Sequence, residues 1–408
     1  MKELFSLGEL YPSDFLKPGE PPRCPPVEIK LMLDDNGAVR LKNTAPENTM
    51  WGKYWYRSSM NSTMKIQLKD IVDSVINLNI SPKNGLWVDI ASNDGFLLCC
   101  VPDLMLKIGI DPAEDSFRIE CERHADLVIQ DYFSADGYKK TIYGDKKPNV
   151  ITAISMFYDL DEPQKFLHDV YEILDNDGLF VLQLSYTPLM LIQMAFDNIC
   201  HEHLWYYSLF NIKSLIENAG FKIMDCQLND TNAGSFRIFI MKKSANLKLF
   251  STQAYRDVCE FRINSLLHYE KTLRLDDAQT WINFYLRIES LKKQTTDFIK
   301  KEKAKGKVIM GYGASTKGNT LLQYFGLDSS LITAIADRST YKIGLHTIET
   351  NIPIISEDDM RKANPDYLLI LPWHFIKEFC EREKKYLQNG GKFIVPCPTF
   401  EIIQNENT

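Results

Sequence analysis

Short apolar runs that alternate with helical stretches constrain this fold more than any other feature of the sequence. Five such runs lie between residues 86 and 184, and they are almost continuously apolar. Strands of this kind form mostly parallel sheets that helices cover on both faces. A sixth run alternates apolar and polar residues, which predicts an antiparallel strand at the sheet edge. The six runs are 86–90, 106–110, 127–129, 150–154, 179–184 and 235–241.

A second and shorter pattern of strands and helices begins at residue 308, with predicted strands at 332–336, 367–371 and 392–395. Between the two patterns, residues 246–304 contain no glycine and place apolar side chains at helical spacing, which predicts a helical connector. We therefore predict an α/β protein with two doubly wound units. The predicted divisions are residues 1–62, 63–245, 246–304 and 305–408.

Composition excludes several classes of partner. The 408 residues carry a net charge of -7, which gives no general attraction to nucleic acid or to anionic membranes. No apolar run reaches the roughly 18 residues that a membrane span needs, and the first residues contain no signal-peptide core. The nine cysteines form no CxxC pair. We expect reduced thiols in a cytoplasmic protein that is a monomer or a small homo-oligomer.

Acidic residues mark the loop after the first predicted strand. Asp89 lies in the strand, and Ala91, Asn93, Asp94 and Gly95 follow it. In a doubly wound sheet this loop lies where strand carboxyl ends converge on a cofactor. Carboxylates repel a dinucleotide pyrophosphate, which prefers several glycines and a bare helix N-terminus. They suit the sulfonium and ammonium groups of S-adenosylmethionine; a tight structural turn is the alternative.

The ends of the next three strands supply further candidate cofactor contacts. Asp111 follows the second strand, where a carboxylate can accept both ribose hydroxyls. Adenine is expected near the end of the third strand and the transferable methyl group near the end of the fourth. Aromatic residues at such positions cap cores as often as they contact ligands. The candidates after these two strands are Asp131, Tyr132, Phe133, Met156 and Phe157.

The stretch 196–207 concentrates titratable and aromatic groups. His201, Glu202 and His203 are consecutive, so the histidines are two residues apart rather than four as in helical zinc motifs. No third metal ligand is near in sequence, and we predict no metal here. An imidazole next to a carboxylate is suited to removing a weakly acidic proton. A structural histidine pair is the alternative.

A second glycine-containing loop, 311–318, follows a predicted strand and opens a helix. It has no Walker sequence, and Lys317 within it could neutralise phosphate charge. Asp337 follows the next strand. Trp373 lies near the end of a later strand, where stacking on a base and simple packing are both open. The alternative interpretations of this loop are that it binds NAD, or that it has only a structural role.

Taken together, these strings resemble the nucleotide-sugar C-methyltransferases, which use S-adenosylmethionine to C-methylate 4-keto-deoxysugar nucleotides. The resemblance runs through almost the whole chain. The strings that carry it are 89–95, 109–113, 156–158, 196–204 with 206–207, 234–237, 311–314, 317–320 and 371–373.

The resemblance implies an N-terminal zinc module, a class I methyltransferase domain of Rossmann-like fold and a second Rossmann-like domain that holds the nucleotide sugar. It also implies that His203 removes a proton beside the ketone, with Glu202 next to it, and that the enolate attacks the sulfonium methyl group. Cys200 and His201 complete the catalytic candidates. The candidate substrate contacts are Tyr56, Tyr158, Asn198, Tyr206, Arg237, Gly313, Lys317, Asn319, Asp337 and Trp373.

Three departures from the family pattern matter. The chain begins after the position of the first CxxC pair, and Cys24 is alone. A hairpin at 31–41, with Asn36 and Gly37 at its turn, stands where the second pair belongs, so we expect that zinc is lost. Ala91 replaces a glycine, which is tolerated if its φ is negative. Cys200 replaces a tyrosine found in some relatives. A binding protein without turnover and an NAD-dependent oxidoreductase are the competing functions.

Overall fold

The computed structural model describes residues 1–35, 37–51, 54–78, 84–246 and 250–404. The N-terminal strands are β1 (Lys2–Leu10), β2 (Phe15–Leu16), β3 (Val27–Leu33) and β4 (Val39–Leu41), followed by helix α1 (Glu47–Trp51). Strands β3 and β4 are antiparallel, with Leu33 opposite Val39, which confirms the predicted hairpin. Asn36 of its predicted Asn-Gly turn lies outside the described residues.

The next unit begins with helix α2 (Ser62–Asn77), which buries one apolar face formed by Met64, Leu68, Ile71, Val72 and Val75. A seven-stranded sheet follows, in the order β7-β6-β5-β8-β9-β12-β11. Its strands are β5 (Leu86–Ile90), β6 (Leu106–Ile110), β7 (Leu127–Ile129), β8 (Val150–Ile154), β9 (Leu179–Ser185), β11 (Phe221–Asn229) and β12 (Ser235–Lys242). Strands β5 to β9 are parallel, as their continuous apolar character predicts.

Short helices connect the strands of this sheet on both faces. They are α3 (Phe96–Cys100), α4 (Asp115–Cys121), α5 (Ala135–Lys139), α6 (Pro163–Ile173), α7 (Thr187–Ile192) and α8 (Leu209–Asn218). Strand β10 (Trp205–Tyr206) lies between α7 and α8 in sequence but belongs to a different sheet.

The prediction that 235–241 forms an edge strand is wrong in position. Strand β12 is antiparallel, but it lies between β9 and β11, and all eight of its residues are buried. The edge strand is β11, which the sequence analysis missed because Asp225 interrupts its apolar pattern. That carboxylate is buried and pairs with the Arg262 guanidinium at 2.7 Å, so a charged residue is accommodated inside the sheet.

Two long helices form the predicted connector, α9 (Gln253–Leu273) and α10 (Ala278–Ala304). The last unit is a six-stranded sheet in the order β16-β14-β13-β17-β18-β19, parallel except for β19. Its strands are β13 (Ile309–Tyr312), β14 (Ile335–Asp337), β16 (Ile354–Ser356), β17 (Tyr367–Ile370), β18 (Lys392–Val395) and β19 (Glu401–Ile403). The remaining elements are β15 (His346–Thr347), α11 (Thr316–Phe325), α12 (Glu357–Ala363), α13 (Ile376–Arg382) and α14 (Lys384–Gln388).

The N-terminal unit is joined to both larger units by backbone pairing. Strand β4 pairs with β10, and β2 pairs with β15. Asn319 of α11 also donates to Ser13 Oγ at 2.9 Å and to the Asp14 carbonyl oxygen at 3.0 Å. These contacts set the spacing between the two α/β units. No helix in the described ranges is long and apolar enough to span a membrane.

Candidate active site

Two large cavities lie next to each other in this arrangement. The sheet cavity is formed at the carboxyl ends of β5, β6 and β8 and includes Asp89, Asn93 and Asp111. The interdomain cavity lies between the seven-stranded sheet and the six-stranded sheet, and it includes His203 and Lys317. The volume of the interdomain cavity is about 1420 Å³ and that of the sheet cavity about 1400 Å³, in both cases including open solvent at the mouth. Both are large enough for a nucleotide-sized ligand.

The two cavities share part of their walls. Ser155 and Asp159, just beyond β8, line both of them. The other shared residues are Trp51, Tyr54, Tyr56 and Asn232. Groups bound in the two cavities would therefore lie next to the same residues.

The loop after β5 has a left-handed backbone at two non-glycine residues. Ala91 has a φ of 59° and Asn93 a φ of 52°. The negative φ under which alanine would be tolerated here is therefore not present, and the loop turns back so that the Ala91 amide donates to the Ile110 carbonyl oxygen at 2.8 Å. A left-handed conformation costs a non-glycine residue about 1–2 kcal/mol. The loop holds this shape at the expense of strain.

Buried carboxylates dominate the sheet cavity. Asp111 accepts the amides of Asn93 and Ala113, each at 2.8 Å, so it fastens the loop while facing the cavity. Asp89 accepts the Thr152 hydroxyl at 2.6 Å. Burial raises the pKa of Asp89 to about 7, against the Thr152 hydrogen bond and with repulsion from Asp111. A cation in this cavity would relieve the cost of ionising both acids.

A segment from the N-terminal unit, residues 54–60, covers the shared wall. Asn93 Oδ1 accepts the Ser58 amide at 3.0 Å, and Asn93 Nδ2 donates to the Tyr56 carbonyl oxygen at 3.0 Å. Asp94 Oδ2 accepts the Ser59 amide at 2.8 Å. The buried Arg57 pairs with Glu120 at 2.6 Å. The loop after β5 thus holds this segment over both cavities.

His203 is held in one tautomer. Its Nδ1 lies 2.8 Å from the Asn198 carbonyl oxygen, which can only accept, so Nδ1 carries the proton. The Nε2 lone pair of a neutral ring is then free to accept a proton. Burial, and to a lesser degree Lys317, lower the pKa of His203 to about 3. The ring is neutral at physiological pH, and Tyr158 packs against it with centroids 4.2 Å apart.

The surroundings of His203 differ from the predicted pairing with Glu202. The Asn198 carbonyl orients the ring, whereas Glu202 is directed to the interdomain cavity near Cys200 and Lys317. Burial raises the pKa of Glu202. Lys317 from α11 donates to Asn198 Oδ1, which brings a cation from the last unit to the stretch that carries His203.

Comparison with known proteins agrees with this geometry. Residues 61–225 match a family model described as a methyltransferase domain, and residues 230–398 match one described as a C-methyltransferase C-terminal domain. The C-methyltransferase NovU of Streptomyces niveus is 27% identical over 372 residues, which cover 91% of this chain and 86% of NovU. This chain is an S-adenosylmethionine-dependent C-methyltransferase.

Solved structures also align with part of the methyltransferase. Magnesium protoporphyrin IX methyltransferase of Synechocystis PCC 6803, with bound SAH, is 14% identical and has a TM-score of 0.34, covering 45% of this chain and 89% of its own. An S-adenosylmethionine-dependent methyltransferase of Clostridium acetobutylicum is 13% identical with a TM-score of 0.34, covering 45% of this chain and 93% of its own. The identification rests on the family models and on NovU.

Most predicted cofactor contacts of the methyltransferase line the sheet cavity, and four do not. Asp94 fastens the segment 54–60, and Asp131 is exposed and accepts the Tyr132 amide. Gly95 opens α3 with a φ of 78°, where a side chain would meet the Cys121 backbone at 2.8 Å. Phe157 is fully buried in the core. The predicted cofactor contacts that line the sheet cavity are Asp89, Ala91, Asn93, Asp111, Tyr132, Phe133 and Met156.

Some of the predicted catalytic and substrate residues line the interdomain cavity, and the others lie outside it. His201 lies outside both cavities, since its Nε2 donates to the Val27 carbonyl oxygen at 2.9 Å and so anchors the N-terminal hairpin. Burial lowers the pKa of His201 to about 4, so it too is neutral. Those that line the interdomain cavity are Cys200, Glu202, His203, Tyr56, Tyr158, Gly313, Lys317 and Asp337.

Five predicted substrate contacts of the methyltransferase line neither cavity. Arg237 is buried within β12 and donates to Gln183, Ser74 and Asp70. Tyr206 is a buried residue of β10. The remaining three hold elements together: Asn198 positions His203 and Lys317, Asn319 binds the N-terminal unit, and Trp373 Nε1 donates to Asp197 Oδ2 at 3.1 Å.

Several cavity residues were not predicted, among them Trp51, Ser155, Arg338 and Lys342. Ser155 lies directly before the predicted Met156, whereas no sequence pattern places Trp51 of the N-terminal unit against a distant sheet. Tyr54, Asp159 and His374, which lie in the predicted stretches around Tyr56, Tyr158 and Trp373, also line the interdomain cavity.

Zinc does not fit the residues present. Within the described ranges no three histidine, cysteine or acidic side chains converge as metal ligands. Cys24, half-buried, is the only cysteine before residue 99. Hydrophobic packing of β1, β3 and β4 holds the N-terminal unit, through Leu31, Val39 and Leu41 among others. The absence of zinc in the protein stays a prediction that elemental analysis can test.

Proposed function

We propose that this methyltransferase transfers a methyl group to the carbon next to the ketone of a nucleotide-linked keto-deoxysugar, through an enolate. One observation carries the proposal: a cavity at the sheet ends and a cavity holding a neutral histidine share a wall. A methyl donor and a carbon acid can therefore meet beside a base. We also propose domain boundaries at 62/63, 245/246 and 304/305. The protein is proposed to be cytoplasmic and to be a monomer or a small homo-oligomer.

The sheet cavity is the proposed site of S-adenosylmethionine, which supplies the methyl group when bound. Asp89 and Asp111 supply two carboxyl groups, and the ammonium and sulfonium groups of this ligand would favour their ionised form. Tyr132, Phe133 and Met156 give it apolar walls for adenine. These residues fit the cationic donor better than they fit a pyrophosphate.

The interdomain cavity is the proposed site of the nucleotide sugar. Four cationic side chains, Lys317, Arg338, Lys342 and Arg382, line it on the side of the last unit, where a diphosphate would be neutralised. Gly313 has a φ of 82°, and a side chain there would lie 2.6 Å from Pro372, so the glycine keeps the loop close to β17. The sugar would extend from this end toward His203.

His203 is the proposed base. Its Nδ1–H is held by the Asn198 carbonyl, so Nε2 can take the proton from the carbon beside the ketone. Lys317 lies near enough to lower the pKa of His203, and its charge would also stabilise an enolate oxygen formed in the same cavity. Tyr158 fixes the plane of the ring from the other side.

The direct test is incubation with labelled methyl donor and a panel of nucleotide 4-keto sugars, followed by mass spectrometry. We expect one labelled methyl group on a nucleotide sugar of the panel. Calorimetry with S-adenosylmethionine and with NAD separates the competing functions. Binding of NAD without binding of the methyl donor would contradict the proposal.

A further inference from the structure

Asp159 occupies the place where the two cavities meet. It lines the sheet cavity and the interdomain cavity, and it follows β8 in a single 3-10 turn, Phe157–Asp159. Ser155, at the start of this connection, has a left-handed φ of 57°. A reaction between ligands of the two cavities therefore takes place beside this carboxyl group.

The backbone on both sides of Asp159 is fixed to the stretch that carries His203. The Tyr158 carbonyl oxygen accepts the Leu204 amide at 2.9 Å, and the Leu160 carbonyl oxygen accepts Trp205 Nε1 at 3.0 Å. The Asp159 amide itself donates to the Met156 carbonyl oxygen at 3.0 Å. Asp159 and His203 thus belong to one rigid assembly, so their side chains act on a bound ligand from fixed positions.

The carboxyl group has unused hydrogen-bonding capacity. Asp159 Oδ1 is buried and has no hydrogen-bond partner among the residues that the structure describes. Burial raises the pKa of Asp159 well above its ordinary range, and repulsion from Glu202 adds to this against the opposing charge of Lys317. Burial therefore favours the neutral carboxylic acid over the carboxylate, and the neutral acid can donate a hydrogen bond.

The proposed reaction needs such a donor. Removing a proton from the carbon next to a ketone places negative charge on the ketone oxygen, and a donor aimed at that oxygen lowers the barrier. His203 cannot fill both roles, because its Nδ1–H is engaged by Asn198 and its Nε2 must accept the proton. A carboxylic acid kept neutral by its surroundings is a known solution to this problem in other enzymes.

We propose that Asp159 is a second catalytic residue, the acid that donates to the ketone oxygen while His203 removes the neighbouring carbon-bound proton. This inference rests on the proposed function and assigns the chemistry of its acid. The expectation from the sequence was instead that Glu202 is the carboxylate that acts together with His203.

His203 Nε2 takes the carbon-bound proton, and the electron pair of that bond forms the enolate, whose oxygen accepts a hydrogen bond from the Asp159 carboxylic acid. The new carbon–carbon bond forms as the sulfur–methyl bond breaks, leaving S-adenosylhomocysteine. The ketone is restored, Asp159 keeps its proton, and the proton on His203 passes to solvent.

The test measures two reactions of the full-length protein with the keto sugar that the wild type methylates in the panel. The first is exchange of the proton beside the ketone with deuterated water, in the presence of S-adenosylhomocysteine. The second is methyl transfer. We expect Asp159→Ala to slow both by a similar factor, about 10²–10³, as is typical for loss of an oxyanion donor. Asp159→Asn keeps a hydrogen-bond donor in its side-chain amide, so both of its rates should fall less than those of Asp159→Ala. Because this amide does not titrate, the decrease in rate at high pH that ionisation of Asp159 causes in the wild type should be absent from this variant.

The exposed Glu162→Gln, three residues further on, is the matched control and should behave as wild type. Calorimetry with S-adenosylmethionine checks that each variant is folded. If Asp159→Ala slows methyl transfer but leaves proton exchange unchanged, the group acts on the donor and the inference falls. Wild-type rates in both Asp159 variants also overturn it while the proposed function stands. If the wild type methylates no keto sugar, both fall.

Discussion

At the residue scale, the electrostatics of the site follow from burial. Burial favours the neutral form of both His203 and Asp159, one as a base and one as an acid, because charging either group in this interior is costly. Neither state is apparent in the sequence, where His203 stands beside Glu202 and Asp159 stands in a run of acids. Sequence proximity suggested Glu202 as the partner of His203, whereas the hydrogen bond that holds His203 Nδ1 is to the Asn198 carbonyl oxygen.

His203→Asn should lower methyl transfer by about 10²–10⁴, the usual contribution of a general base. Binding of S-adenosylmethionine should not change, because His203 does not line the sheet cavity. Steady-state kinetics and calorimetry measure the two effects. Near wild-type turnover would reject His203 as the base, and His201→Asn serves as a comparison because His201 contacts neither cavity.

The pH dependence of activity gives a second residue-scale prediction. A base must be neutral, so with a pKa near 3 the wild-type kcat/KM should not fall as the pH drops through 6.5. Lys317→Met removes one of the causes of the low pKa and should move the acidic limb of kcat/KM to higher pH. A limb that stays in place in this variant would show that Lys317 does not act on His203.

Asp89 gives a prediction about stability with a defined sign. Its pKa rises from 3.8 to about 7 on folding, so the folded state holds a proton that the unfolded state releases between these values. The stabilisation from this group is complete below the unfolded pKa and is lost as the pH rises through about 7. Without cofactor, Asp89→Asn should therefore gain stability relative to wild type at pH 8 but not at pH 4. Urea denaturation at both pH values measures the difference, and an equal shift at both would contradict it.

At the element scale, mostly apolar runs identified the parallel strands β5 to β9 correctly, since strands covered on both faces bury predominantly apolar side chains. The pattern failed at β11, where Asp225 is buried against Arg262 and a tertiary ion pair overrides local hydrophobicity. The loop after β5 was located from its acids. Its strained backbone could not be foreseen, because alanine at position 91 gives no sign of the left-handed φ that the loop imposes.

This loop provides the element-scale prediction. Ala91→Gly removes left-handed strain of about 1–2 kcal/mol and adds a backbone entropy cost of about 0.5–1 kcal/mol, so it should be neutral or slightly stabilising. Ala91→Val should destabilise the protein, because a β-branched residue tolerates this conformation worse. Thermal denaturation of both variants measures the effect. Equal destabilisation by glycine and valine would mean that the loop is not strained.

At the scale of the whole molecule, the N-terminal unit completes the site. Its strands pair with both larger units, and its residues 54–60 cover the wall shared by the cavities. The sequence indicated the hairpin at 31–41 and Tyr56 as a candidate substrate contact, and its pattern of strands and helices separated the two α/β units. It gave no means of predicting that β10 and β15 would pair with this region, because such pairing depends on how distant segments meet.

The most direct measurement of the central claim is the position of the transferred methyl group. Wild-type protein, S-adenosylmethionine with a ¹³C-labelled methyl group and the keto sugar selected by the panel give a product for NMR spectroscopy. The account predicts a new carbon–carbon bond at the carbon next to the ketone, and its loss in His203→Asn. A labelled methyl group on oxygen, or the same product from His203→Asn at the wild-type rate, would contradict it.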